Sequence, residues 1–142
     1  MSHDIDLTDA QSMSLLRFYA SLWTTNLAEY GWHLSAAGNT YYSAHQLFER
    51  LYDETAEHID VLGERMQLMG QVPAYHVRHL SDLSQIEEAL PESRDRSAVS
   101  VETAIGEAVE VKRALIEEGQ RGIDQFSEHP TAEDVMIEVA EA

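Results

Sequence analysis

The chain contains no cysteine, which excludes disulfide frameworks and thiolate metal sites. It has a single lysine, Lys112, and nine basic side chains in all against 26 acidic ones, giving a net charge of −17. Binding to a phosphate backbone needs clustered Lys and Arg, so DNA binding is not expected, and Lys112 with Arg113 is too small a patch to change that. No apolar run approaches membrane-spanning length, and the N-terminus MSHDIDLTDAQ is polar and acidic rather than leader-like. A cytoplasmic protein with no membrane partner is the expectation. Alternating strand patterns, internal repeats and low-complexity tracts are also missing. The acidic surplus suits cation collection, a high-salt habitat or plain solubility.

What is present is helical periodicity. The 142 residues are about one domain's length, and 44% hydrophobic content is enough for one core, so a single domain over 1–142 is expected, with 1–9 a flexible tail. Thr8 or Asp9 can cap a first helix running from near Ala10 to about Leu34. Its apolar residues Met13, Leu15, Leu16, Phe18, Tyr19, Leu22, Trp23, Leu27 and Tyr30 predict a broad buried face. Gly38-Asn39 turns the chain into a second helix over Asn39 to Gly70, and Pro73 prevents its resumption. The stretch from Gln71 to about Ser97 is too long for a hairpin turn and crosses the length of the bundle, with room for a short helix at Leu83 to Leu90 before Pro91. A third long helix starts near Ser97 or Ser100 and reaches Phe126, with Val101, Ile105, Ala108, Val109, Leu115, Ile116 and Ile123 apolar. After His129-Pro130, Thr131 caps a last short helix with Val135, Met136 and Val139 on its apolar side. The expected fold is all-α, a four-helix bundle with a long crossover and a short or truncated fourth helix.

The second helix carries the chemistry. At roughly 100° per residue, His45, Glu49, Asp60 and Glu64 fall near 0°, 40°, 60° and 100°, whereas Leu47, Phe48, Leu51, Ile59, Leu62, Met66 and Met69 centre near 280°. The ligand-bearing arc is therefore not the core face. Glu49 and Asp60 are about 16 Å apart along the axis, too far to bind one metal ion within one helix. The four positions are nevertheless symmetric about a point between residues 54 and 55. Two copies packed antiparallel around a two-fold axis there would set His45 and Glu49 of one chain beside Asp60 and Glu64 of the other. Ala56 and Gly63, on the same face, are small enough to admit the second helix. Imidazole and carboxylate without thiolate suit iron, manganese or zinc, and carboxylate-rich bundle sites with histidine are the usual di-iron arrangement.

The spacing His33-x11-His45-x3-Glu49, followed by LYDETAEHIDVLGERMQLMG with Asp60 and Glu64, resembles the Dps family, the mini-ferritins of the ferritin-like superfamily. The similarity is dense from about Leu15 to Pro73 and looser over the third helix. It implies a ferritin-like bundle with a di-iron ferroxidase centre shared across a two-fold interface, His33, His45 and Glu49 from one subunit acting with Asp60 and Glu64 of its mate. It further implies oxidation of Fe(II) by hydrogen peroxide or oxygen, with ferric mineral stored in a dodecameric shell; zinc and manganese, which suit the same donors, are candidate competitors. A catalytically silent helical assembly protein of the same fold, its acidic face serving solubility, is the alternative.

The chain departs from the family pattern in three places. The family usually has Trp directly after the first histidine, whereas here Trp32 precedes His33 and Leu34 follows. The lysine-rich tail with which some members bind DNA is replaced by Asp4, Asp6 and Asp9. Family members extend the last helix by a turn or several, whereas here the chain stops at Glu141-Ala142, so the fourth helix is expected to be short. Trp32, Tyr41, Tyr42 and Tyr52 lie close in sequence to the ligand set, as packing residues or as acceptors of oxidising equivalents. His76 and His79 are expected to be exposed loop histidines, His58 a surface or interface residue, and Glu87, Glu88 and Glu92 a solvated face.

Overall fold

The computed structural model describes residues 7–38, 40–91 and 99–125. Its helices are α1 (Asp9–Ser35), α2 (Tyr41–Leu68), the short α3 (Val77–Leu83) and α4 (Val101–Gln125). The fourth bundle helix expected over 131–142 lies outside the described residues, as do Glu92, Ser97, Phe126 and Asn39. No helix among the described residues is long and apolar enough to cross a membrane.

Local signals explain the ends. Thr8 Oγ1 accepts from the Gln11 amide at 3.1 Å while Gln11 Oε1 accepts from the Thr8 amide at 2.9 Å, a capping box that satisfies two donors at the start of α1. The Gln11 side-chain amide also donates to the Gln125 carbonyl at 2.8 Å, tying the start of α1 to the end of α4. Thr8→Ala is expected to cost about 1 kcal/mol, read as a lower urea midpoint with unchanged slope. At its other end α2 stops where Gly70 takes a φ of 77°. The Gly70 amide donates to Gln67 O at 3.1 Å and the Gln71 amide to Met66 O at 2.8 Å, the paired bonds of a Schellman end.

The crossover differs from the expectation. The short helix lies at Val77–Leu83, opened by His76, whose Nδ1 accepts from the Arg78 amide at 3.2 Å. Residues 84–90 do not continue it, because hydroxyls on α1 take their polar groups: Ser84 Oγ meets Thr24 Oγ1 at 2.8 Å and the Gln85 amide donates to Ser21 Oγ at 2.9 Å. Ile86 is thereby buried and anchors the crossover to the bundle. A parallel bridge of two residues each, β1 (Ala36–Ala37) against β2 (Val99–Ser100), pins the α1–α2 turn to the start of α4. It is too short for any alternation to announce.

The core is divided in two. One apolar cluster joins Leu15, Phe18 and Leu22 of α1 to Ile59, Leu62 and Met66 of α2 and Leu115 of α4. The other joins Trp32, Phe48, Ile86, Val101, Ala104 and Val111. Between them lies a polar layer of Thr25 and Glu29 from α1, Thr55 from α2 and Lys112 from α4. The broad buried face expected for α1 is narrower than its apolar content, since Met13, Trp23, Leu27 and Tyr30 are exposed, as are Ile105, Val109 and Ile116 of α4. Those residues sit outside the stripe at heptad spacing that the neighbouring helices cover, which on α1 runs Leu15, Phe18, Leu22, Thr25, Glu29 and Trp32.

Candidate metal centre

The α1–α2 hairpin folds His33, in the last turn of α1, onto His45, near the start of α2. Their rings stack with centroids 3.7 Å apart and 22° between planes. His33 Nδ1 lies 2.9 Å from the His45 carbonyl oxygen, and His45 Nδ1 lies 3.0 Å from the His33 carbonyl oxygen. A carbonyl oxygen can only accept, so both Nδ1 atoms carry hydrogen, and the neutral form of each ring keeps its lone pair on Nε2. Reciprocal bonding of this kind sets the tautomer and the ring orientation of a metal-binding imidazole. The displaced tryptophan does not disturb it: Trp32 turns inward, its ring 5.8 Å from that of Phe48, while His33 faces the hairpin.

The carboxylates are arranged as the helix dictates. Glu49 follows His45 by one turn and is exposed, beside Gln46, Arg50, Asp53, Glu54 and Glu57. Asp60 and Glu64 occupy the far half of α2 and line an open groove of ≈ 610 Å³ between α1 and α2. Tyr19 and Trp23 line it from α1, and Ala56 and Gly63 of α2 add little side-chain bulk to it. Among the described residues no three His, Asp or Glu side chains come close enough to hold a metal ion. The hairpin thus brings the two histidines together and keeps Asp60 and Glu64 apart from them in the same chain.

An aromatic chain adjoins the histidines. Tyr52 stands edge-on to His33 at 5.2 Å and stacks on Tyr30 at 3.9 Å and 15°, while Tyr41 tilts over His45 at 5.4 Å. Desolvation, together with the negative charges of Glu49 and Asp53, raises the Tyr52 phenol above its usual range. Asn26 donates to the Tyr52 carbonyl oxygen at 2.8 Å, fixing this part of α2 against α1. Of the other residues singled out by sequence, Tyr42, His76, His79, Glu87 and Glu88 are exposed, and His58 is half-buried.

The sequence matches the family described as ferritin-like domain over residues 19–141. The chain belongs to the ferritin-like family. It is 27% identical over 117 residues to DNA protection during starvation protein 2 of Bacillus anthracis, which covers 82% of this chain and 76% of that protein. Its fold is similar to that of Dps from Thermosynechococcus elongatus, with TM-score 0.83, 20% identity and coverage of 94% of this chain and 82% of that one. It is also similar to Dps from Staphylococcus aureus, with TM-score 0.82, 18% identity and coverage of 96% and 89%. The ferritin-like bundle expected from the His33-x11-His45 pattern is therefore the fold of this chain, with Dps proteins among its neighbours.

Two buried carboxylates in this ferritin-like bundle escaped the reading of the sequence. Glu29, 0% exposed, lies in the polar layer with its Oε2 3.6 Å from Lys112 Nζ. Burial raises its carboxyl above the usual range, opposed by the Lys112 charge and the Thr55 hydroxyl. Glu118, 6% exposed, sits between α4 and α1, and among the described residues neither of its oxygens accepts a well-formed hydrogen bond. Burial pushes it up to about 7, against the lowering influence of the Ser21 hydroxyl and the Arg121 and Arg17 charges. The periodicity contained the signal: Ala104, Ala108, Val111, Leu115, Glu118 and Gly122 share one buried stripe of α4, and Glu29 shares that of α1.

Proposed function

We infer that this chain is a mini-ferritin subunit of the Dps type that oxidises Fe(II), with hydrogen peroxide as the oxidant, at a di-iron site shared by two copies, and that ferric iron is held in a shell built from such dimers. The observation that carries this reading is the stacked His33–His45 pair, whose reciprocal hydrogen bonds leave both Nε2 atoms free on a chain of the ferritin-like family. In this reading the two imidazoles and Glu49 bind ferrous iron as substrate, together with Asp60 and Glu64 of the partner subunit. Carboxylates from both chains stabilise the ferric charge, and the imidazoles add affinity for the ferrous ion. Zinc and manganese compete for the same donors.

The groove supports the two-fold arrangement. Ala56 and Gly63 lie along it with Asp60 and Glu64, and the exposed apolar residues Trp23, Leu27, Tyr30 and Leu34 recur along the neighbouring face of α1. A second α2 laid antiparallel in this groove covers that surface and brings each histidine pair toward an acidic pair. With a net charge of −17, DNA binding is not expected of this chain, although its Bacillus anthracis relative is named for DNA protection.

Purified protein is expected to consume Fe(II) under anaerobic conditions when peroxide is added. Ala56→Arg, which puts a long charged side chain into the groove, is expected to weaken dimer formation and slow the oxidation by about tenfold. Native mass and the rate of Fe(II) loss are read on the same sample. A monomeric variant oxidising at the native rate would sink the shared site. A native dimer that takes up no iron would leave the silent assembly protein as the function.

A further inference from the structure

We propose that the crossover is latched to the bundle through Ser21 and Glu118, and that the latch loosens when Glu118 gives up its proton. The latch involves none of the metal-binding side chains. Its basis is a short run of hydrogen bonds. The Gln85 amide donates to Ser21 Oγ at 2.9 Å, and the Ile86 amide donates to Ser84 Oγ at 3.5 Å. Thr24 gives its own hydroxyl proton to the Ser21 carbonyl oxygen at 3.1 Å, so across the 2.8 Å between Ser84 Oγ and Thr24 Oγ1 the serine is the donor. Ser21 Oγ accepts from the crossover, which leaves its own proton to interact with the Glu118 carboxyl. Ser21, Ser84 and Glu118 are all buried.

Glu118 sits beside the seam that this segment closes. Glu117 and Arg121, its neighbours on α4, line a groove of ≈ 530 Å³ faced by residues 84–89 of the crossover. The charged groups around it among the described residues are Arg17 of α1, Glu117 and Arg121 of α4, and Glu87 and Glu88 of the crossover. An ionised carboxyl offers about four acceptor positions, and Ser21 is the one donor that addresses them here. The protonated form needs fewer partners and can itself donate to Ser21 Oγ. Once the group ionises, water is what stabilises it, and lifting residues 84–86 off α1 admits water through the groove. Below the ordinary value of 4.5 the closed and opened states both hold the proton, and the latch is tight. As the pH rises toward 7 the opened state releases its proton first, and above about 7 the loosening is complete.

Hydrogen exchange of the Gln85 and Ile86 amides measures the latch. Between pH 5 and pH 8 their protection factors should fall on the order of 50-fold in the native protein, with little dependence on urea, and should stay below that of a core amide such as Leu62. Glu118→Gln should hold them near the pH 5 level throughout, while protection along α2 reports that this variant is folded. A double variant, Glu87→Gln with Glu88→Gln, removes the acids of the crossover itself and should keep the fall. Protection that is the same at both pH values, that falls equally in Glu118→Gln, or that matches Leu62 at every pH would overturn the latch. A fall that disappears in the double variant would overturn the assignment to Glu118.

Discussion

Subunits carrying His45→Ala and subunits carrying Glu64→Ala are each expected to oxidise Fe(II) on the order of 100-fold more slowly than the native chain, yet to recover about a quarter of native activity when co-assembled in equal amounts. Even the partners that orient a metal ligand are worth tenfold to 100-fold in affinity or activity when removed, so loss of a ligand belongs at the upper end of that range or beyond. The recovery follows from the proposed division of the site between two chains. In a mixed dimer the Glu64→Ala subunit supplies an intact histidine pair and Glu49, which face the intact Asp60 and Glu64 of the His45→Ala subunit; the other site of that dimer is doubly broken. Random pairing makes about half of the dimers mixed, each with one working site of two. The measurement is the peroxide-driven rate of Fe(II) loss in the co-expressed mixture. A rate equal to the mean of the two variants would place all five ligands in one chain and sink the shared centre.

Replacing Glu118 by glutamine should stabilise the protein by about 3 kcal/mol at pH 8 and by almost nothing at pH 4. A carboxyl with a folded value of about 7 and an ordinary value of 4.5 holds its proton more tightly in the native state. Below 4.5 both states are protonated and no stability is lost. As the pH rises from 4.5 toward 7 the unfolded chain releases its proton first, so native stability falls by about 1.4 kcal/mol per pH unit, and above 7 the loss is complete. The cause is burial between α4 and α1, which Arg17, Arg121 and the Ser21 hydroxyl offset only in part. Glutamine has the same shape and no charge to bury, so the falling limb disappears. Urea unfolding of both proteins between pH 4 and 8 measures the difference. A constant gap across that range would show that Glu118 does not titrate there, and a destabilised variant at pH 8 would show that its charge is satisfied in the fold.

Period and spacing alone made much of this protein legible. Three long helices, a crossover between the second and the third, and a ligand-bearing arc on α2 set apart from its core stripe all follow from residues that repeat at helical intervals. Helix formation is local, and an apolar stripe announces itself in the order of the residues. His45, Glu49, Asp60 and Glu64 were legible as a symmetric set, because a site shared about a two-fold axis, as proposed for this chain, requires symmetric positions in one sequence.

What periodicity did not decide was everything set by contact between distant segments. α3 lies at Val77–Leu83 rather than further on because Ser21 and Thr24, on another helix, capture the polar groups of residues 84 and 85. The Ala36–Val99 bridge joins segments that show no strand pattern. Apolar residues such as Leu27 and Ile116 read as core and are exposed, since one chain supplies neighbours for only part of each helix. Glu29 and Glu118 were not singled out by sequence, and it is the packing of α1, α2 and α4 that encloses them. The order of the residues alone showed that His45 with Glu49 and Asp60 with Glu64 stand in opposite halves of one helix, with His33 at the end of the helix before it. Only the tertiary structure decided that His33 and His45 face each other with their Nε2 atoms free, because that depends on a turn at Gly38 and on two hydrogen bonds from ring to backbone between residues twelve apart.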